Sequence, residues 1–381
     1  MKISDQDRFS PLNPNQALKQ PVHGGQVYQL LRDQNSATSV AEGLESLIDF
    51  SASINPIMPQ INWSQLNQQA QVMIGHYPDQ QQVALKQSLA QKFQLEPNQI
   101  TLTNGISSAI MSLFAEIKPD QTVLFTPIYS EYQRAAQQYS QHLLEVPQNQ
   151  LNTFDFSQLT ENSVLVLVNP TTPLGQYQSL DSLQTLINAA IQHNCWLLID
   201  ESFLPFISLE PKASLRSLLH LNQATKWIVL QSLTKYYACP GVRIGALFSA
   251  PNALKQWQWP SWPISVLDEL FLLQALEDSE LDLKTQTCLQ QERPALIQAL
   301  CECDLIHSVE SGLANFLFVK TSVPALQLVQ ALQTQNILIR DCESFGLGEH
   351  SCRIAIKTAA QNQQLISALH RLAPKLLKAK S

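Results

Sequence analysis

Three polar residues stand just beyond apolar, strand-like runs: Asn169 after SVLVLV, Asp200 after CWLLI, and Lys235 shortly after KWIVL. In an open α/β sheet, ligands bind beyond the carboxyl ends of the strands, so these positions are the first to read for chemistry. A carboxylate in such apolar surroundings needs a cationic partner, because burying it alone is costly. A lysine amine there loses affinity for its proton and becomes a nucleophile toward an aldehyde. The pair suits a cofactor with a protonatable ring nitrogen and an aldehyde, and pyridoxal 5′-phosphate (PLP) has both. A phosphate would find partners nearby. The stretch SLTKYYACPGVRIG carries hydroxyls at Ser232 and Thr234 and the guanidinium of Arg243, whose planar fork matches a phosphate dianion. A second cradle is TNGISSA, where Asn104-Gly105 turns from a strand into the apolar helix AIMSLFAEI and offers backbone N–H groups.

A sheet must hold these groups. Candidate strands are ITLT from Ile100, TVLFT from Thr122, SVLVLVN from Ser163, CWLLID from Cys195, KWIVLQ from Lys226 and RIGALF from Arg243. Between them, LDSLQTLINAAIQHN sets Leu180, Leu183, Leu186, Ile187 and Ile191 on one helical face, so Asn169 to Asp200 reads as strand–helix–strand. This alternation predicts an α/β protein with a mostly parallel sheet. After about residue 265 the pattern changes to a long helical region, LDELFLLQALEDSELDLKTQTCLQQERPALIQALCEC, and then a short α+β segment ending in two helices. The expected organisation is an irregular N-terminal segment (1–48) packing on the small domain, a large PLP-binding domain (49–265), and a small C-terminal α+β domain (266–381).

Lys and Arg total 24 against 31 Asp and Glu, a net charge of −7, which argues against the clustered basic face that nucleic-acid binding needs. No run of about 18 apolar residues occurs, so no membrane-spanning helix is expected. The start, MKISDQDRFSPLNPNQ, has no apolar signal stretch, and a cytoplasmic location is expected. The seven cysteines match no common zinc spacing, which predicts reduced thiols and no metal site; Cys239, close to Lys235, reads as packing.

The motifs, taken in order, resemble those of fold-type I PLP enzymes of the class I/II aminotransferase superfamily. They are most similar to the threonine-phosphate decarboxylase branch, with histidinol-phosphate aminotransferases next. The series is HGG at His23, DFSASINP at Asp49, YPD at Tyr77, TPIYSEYQRAA at Thr126, NPTTPLG at Asn169, IDESF at Ile199, SLTKYYACPGVRIGA at Ser232 and IRDCESFGLGEHSCRIAIKT at Ile339. The resemblance implies the fold-type I architecture, with a seven-stranded sheet in the large domain. It gives Lys235 the Schiff base and later proton transfer, and Asp200 the pyridinium nitrogen. Tyr129 would stack on the ring, with Tyr132 second in line for that role. Gly105, Ile106, Ser107, Ser232, Thr234 and Arg243 would hold the phosphate, while Asn169 and Thr172 would flank the cofactor. Tyr77 would reach the cofactor phosphate of a neighbouring subunit, which implies a homodimer. Arg353 would bind the substrate carboxylate. His23, Asn55 and Arg340 would lie by the substrate, with Lys357 a further candidate.

Two departures stand out. The family's GNGxTE loop reads TNGISS here, so Thr103 replaces a glycine and Ser108 a carboxylate. Its NPNNPTG reads NPTTPLG, and Thr172 stands where an asparagine bonds the cofactor's ring hydroxyl. By resemblance, the reaction is decarboxylation of L-threonine O-3-phosphate to (R)-1-amino-2-propanol O-2-phosphate in cobalamin biosynthesis. The alternatives are transamination of histidinol phosphate or another amino acid, and a homologue without activity.

Overall fold

The computed structural model describes residues 10–11, 24–33, 39–255 and 257–378. Its strands are β1 (Ser10–Pro11), β2 (Ile48–Asp49), β3 (Ile100–Thr103), β4 (Gln121–Thr126), β5 (His142–Pro147), β6 (Ser163–Val168) and β7 (Trp196–Asp200). They continue with β8 (Trp227–Ser232), β9 (Gly245–Ser249), β10 (Ile306–Glu310), β11 (Phe316–Thr321), β12 (Ile337–Leu338), β13 (Arg340–Asp341) and β14 (Ser351–Ala355). The chain divides into two units.

The first unit comprises Met58–Thr172 and Tyr177–Leu281 with the described part of Met1–Pro21. Its sheet runs β1-β5-β4-β6-β7-β8-β9-β3; β5, β4, β6, β7 and β8 are mutually parallel, and β9 runs against both β8 and β3. Every residue of β6, β8 and β9 is buried, which explains why their sequences are continuous apolar runs rather than alternating ones. The helix Gly105–Ile117 packs one stripe, Ile106, Ile110, Leu113, Phe114 and Ile117, into a core with Val166, Leu198, Ile228 and Leu247. That packing fixes where the helix begins. The register Val168↔Asp200↔Leu230 ends β6, β7 and β8 along one edge, and Thr103↔Gly245↔Ser232 brings β3 to the same edge.

The second unit comprises Val22–Ile57, Pro173–Gln176 and Asp282–Ser381. It holds the antiparallel sheet β10-β11-β14-β13 and the parallel pair β2-β12. The helix Ala359–Lys378 buries Leu365, Ile366, Leu369 and Leu376 along one side.

The boundaries differ from those read in the sequence. Ser10–Pro11 pairs with β5 in the large sheet, where it covers backbone that would otherwise form an open edge and adds an eighth strand to the seven expected. The described part of residues 1–48 also holds two short helices, Val27–Asp33 and Val40–Glu45, rather than irregular chain. Asp49–Ile57 belongs to the second unit, since β2 pairs with β12 and Ser51 accepts a hydrogen bond from Arg353. The helix Val266–Glu277 belongs to the first unit, packing on helices Trp63–Met73 and Val83–Phe93. The long helical region is two helices, because Asp278 leaves helical geometry and accepts backbone bonds from Glu280 and Gln60. All seven cysteines are free. Among the described residues, no helix is long and apolar enough to cross a membrane and no His, Cys, Asp and Glu cluster could hold a metal ion.

Candidate active site

In the first unit, the chemistry gathers at the carboxyl ends of β3, β4, β7 and β8. Asp200 closes β7 and is 4% exposed. Its Oδ1 accepts from the Ser202 backbone N–H at 2.9 Å, and its Oδ2 accepts from the Tyr132 hydroxyl at 3.0 Å. Donors on both oxygens offset the cost of burying the carboxylate. Lys235 lies in the single turn Leu233–Tyr236 after β8, with Nζ 4.8 Å from the centroid of the Phe203 ring. Because Asp200 and Phe203 lie on one loop, that loop serves both the carboxylate and the lysine. Ser202 ties it to the next strand, its Oγ accepting from the Ser232 N–H at 2.8 Å. Behind it, Glu201 accepts from the Ser214 hydroxyl and the Leu215 N–H, with Arg216 Nε 3.9 Å away; burial pushes the Glu201 carboxyl above its ordinary range.

The residues expected to hold a phosphate lie at the start of the helix Gly105–Ile117 and at the turn after β8. Gly105 has φ +71°, and a Cβ built on it would lie 2.9 Å from Arg243 Nη2, so only glycine lets the guanidinium approach this turn. Arg243 is exposed, and its Nη1 donates to the Pro240 carbonyl at 3.2 Å. Tyr129 precedes the helix Ser130–Tyr139, and its hydroxyl lies 3.0 Å from Ser107 Oγ; burial raises its pKa, against the bond to Ser107. Ser232 Oγ and Thr234 Oγ1 lie 2.9 Å apart.

Of the remaining expected residues, Asn169 lies beside Asp200, its N–H donating to the Asp200 carbonyl at 2.9 Å. Asn169 turns its side-chain amide to the Gln178 backbone, accepting from the N–H and donating to the carbonyl, both at 2.8 Å. Thr172 is buried. Tyr77 is 80% exposed and stacks on Trp262, with ring centroids 4.6 Å apart. Burial pushes the Cys239 thiol up to about 12, so it carries no thiolate. Sequence reading missed Ser202, Phe203 and the bond from Tyr132 to Asp200.

A second set lies in the second unit. Arg340 on β13 stands directly opposite Arg353 on β14, so both side chains leave the same face of the sheet. Arg353 donates to the Ser51 carbonyl at 2.7 Å and lies over the Phe316 ring; burial, opposed in part by Asp49, brings its pKa down to about 10. Arg340 donates to Ser344 Oγ at 2.9 Å, and burial lowers its pKa as well. Asp49 Oδ1 accepts from the N–H groups of Ser51 and Ala52 and from the Ser51 hydroxyl. Gly24 approaches this loop so closely that a Cβ would fall 2.3 Å from the Ser51 carbonyl oxygen, which is the packing reason for a glycine in HGG. Asn55 donates to Thr285 Oγ1 at 2.8 Å and accepts from the Ile57 N–H at 3.0 Å. Burial lowers the pKa of Lys357, against the pull of Asp49. His23 lies outside the described residues.

The first set fits PLP: a lysine amine, a carboxylate buried with donors on both oxygens, and a glycine-turn, hydroxyl and guanidinium cradle. Sheet and site together define an α/β protein of the aminotransferase fold that binds PLP.

Residues 45–369 match the family model described as aminotransferase class I and II. The chain belongs to that family, and PLP is its cofactor. It is 32% identical over 372 residues to the threonine-phosphate decarboxylase of Salmonella typhimurium, covering 93% of this chain and 98% of that one. It is 26% identical to the histidinol-phosphate aminotransferase of Flavobacterium psychrophilum, covering 94% and 99%. The solved structure of the Sinorhizobium meliloti histidinol-phosphate aminotransferase in complex with PLP has the same fold, with a TM-score of 0.74 at 18% identity, covering 98% and 99%.

Proposed function

We propose that this chain decarboxylates L-threonine O-3-phosphate to (R)-1-amino-2-propanol O-2-phosphate, the role of its 32%-identical relative. The observation that carries this reading is the pair of buried guanidinium groups, Arg340 and Arg353, in facing register. L-Threonine O-3-phosphate bears both a carboxylate and a phosphate, and two planar cations side by side suit two anionic groups.

In this reading Arg353 takes the substrate carboxylate and Arg340 the substrate phosphate, with His23, Asn55 and Lys357 alongside. Gly105, Ile106, Ser107, Ser232, Thr234 and Arg243 hold the cofactor's phosphate, and Tyr129 covers its ring. When bound, the cofactor supplies an electron sink that weakens the bonds at the substrate's α-carbon. Asp200 holds the proton on the ring nitrogen and so keeps that sink strong. Lys235 would be the proton carrier, its Nζ, protonated as the ammonium, giving that proton to the substrate's α-carbon once CO₂ has left. The hold of Arg353 on the carboxylate would govern which bond at the α-carbon the cofactor weakens. A homodimer is part of the proposal, with the exposed Tyr77–Trp262 stack as a surface for the second copy.

The test is CO₂ release from L-threonine O-3-phosphate by the PLP-loaded protein, beside Lys235→Ala. Release that depends on Lys235 supports the proposal. Amino transfer from histidinol phosphate to 2-oxoglutarate, without CO₂ release, would replace it with the transaminase reading.

A further inference from the structure

We propose that Tyr132 is a positioning residue for this chemistry: its hydroxyl, seated on Oδ2 of Asp200, orients that carboxylate, shares its negative charge, and so sets how firmly Asp200 holds the proton of the cofactor's ring nitrogen. The proposal rests on the reading that Asp200 faces that nitrogen. It assigns Tyr132 a task apart from ring stacking, the role for which its sequence position makes it second to Tyr129.

The geometry carries it. Tyr132 Oη lies 3.0 Å from Asp200 Oδ2, and the two residues are 0% and 4% exposed. At that burial, water does not compete for the bond, and a phenol donating to a carboxylate is a charge-assisted contact in a low-dielectric interior. The Ser202 N–H holds the other oxygen at 2.9 Å, so the carboxylate plane is fixed from both sides. An ionised carboxylate has about four lone-pair directions, and two donors leave room for a ring N–H. Burial pushes the Tyr132 hydroxyl well above its ordinary pKa and the Asp200 charge adds to this, so the group stays protonated and remains a donor.

The helix that delivers Tyr132 also ties the acid to the cradle. Tyr129 and Tyr132 are one turn apart at the start of Ser130–Tyr139, with their rings edge to face at 6.4 Å and 81°. The Tyr129 hydroxyl meets Ser107, while Tyr132 meets Asp200. One helix start thus joins the phosphate side of the site to its acid side. A tyrosine kept only for packing would not need its oxygen on this carboxylate.

Tyr132→Phe, Asp200→Asn and the double variant separate positioning from packing, because phenylalanine keeps the ring and removes only the hydroxyl. The readouts are the PLP dissociation constant and the visible absorption band of the substrate-free holoenzyme. Tyr132→Phe is expected to weaken PLP binding by about 5- to 20-fold, the scale of one charge-assisted hydrogen bond, and to shift the band. The double variant is expected to bind no more weakly than Asp200→Asn alone, within about twofold, since the hydroxyl then has no carboxylate to act on. A band and dissociation constant unchanged by Tyr132→Phe, with Asp200→Asn altering both, would overturn the proposal and leave the reading of Asp200 intact. Losses that multiply in the double variant would also overturn it, reducing Tyr132 to packing. Asp200→Asn without effect on either readout would overturn the reading of Asp200 and the proposal together.

Discussion

Gly105→Ala should cost this protein its cofactor more than its fold. The substitution meets two obstacles. At φ +71°, an L residue with a Cβ is strained by roughly 1–2 kcal/mol. The new methyl would also sit 2.9 Å from Arg243 Nη2, whereas an unstrained contact needs roughly 3.5 Å, so the guanidinium must retreat by about half an ångström or more. Arg243 is exposed and able to move, so the clash is relieved by displacing it rather than by unfolding the helix Gly105–Ile117, which is anchored by Ile110, Leu113 and Phe114. A charge-assisted bond from guanidinium to phosphate contributes about 1.5–3 kcal/mol, so moving Arg243 off its line should weaken PLP binding by about 10- to 100-fold. The backbone strain should lower the apo-protein melting temperature by about 1–3 °C. Equilibrium dialysis against PLP and thermal unfolding read the two effects separately. Gly241→Ala is the control, because a Cβ there meets nothing within 4 Å and the backbone is not left-handed. A PLP dissociation constant within about twofold of the parent, despite the expected drop in melting temperature, would refute the assignment of this turn and Arg243 to the phosphate.

Arg353→Met should separate activity from stability in the opposite sense. Burial brings the Arg353 pKa from 12.5 down to about 10, so the folded state bears a cost for this charge at neutral pH. Replacing it with an apolar side chain of similar length relieves that cost while losing the bond to the Ser51 carbonyl, a net change near zero. The kcat/KM for a carboxylate substrate should fall by about 100-fold or more, with melting within a few degrees of the parent; a collapse of melting with kcat/KM unchanged would contradict the substrate role. Cys195→Ala tests a pH effect. Burial raises the Cys195 thiol from 9.0 to about 11, so between those values the unfolded chain has released a proton that the folded chain keeps. The contribution of this thiol is therefore fully present below pH 9 and declines above it, by up to about 1.4 kcal/mol per pH unit. Urea unfolding of parent and variant at pH 8, 9 and 10 should show a shallower decline in the variant, and equal slopes would remove Cys195 as a cause.

The parts of this fold legible in sequence are those set by burial on both faces of a sheet. SVLVLV and WIVLQS are fully buried strands, and an unbroken apolar run admits little else between turn signals. HLLEVP escaped because β5 is only partly covered and mixes polar with apolar residues, although its partner β4 was plain. The split at Asp278 was written locally, in an Asp whose carboxylate accepts from backbone N–H groups, but the helical period on either side masked it. The division into units was not local at all. It depends on β2 pairing with β12 and on Ser51 meeting Arg353, contacts between distant stretches of chain that no spacing encodes. The site divides the same way. Lys235, Asp200 and Arg243 could be proposed from sequence because they follow or precede apolar strands and their side chains carry rare chemistry. The partner of Asp200 could not, because Tyr132 hangs from the helix after β4, and bringing it to the end of β7 requires the order β4-β6-β7. Sequence thus offers candidate groups, while the sheet order decides which neighbours hold them. The two donors on Asp200, one from its own loop and one from two strands away, are where that order becomes chemistry.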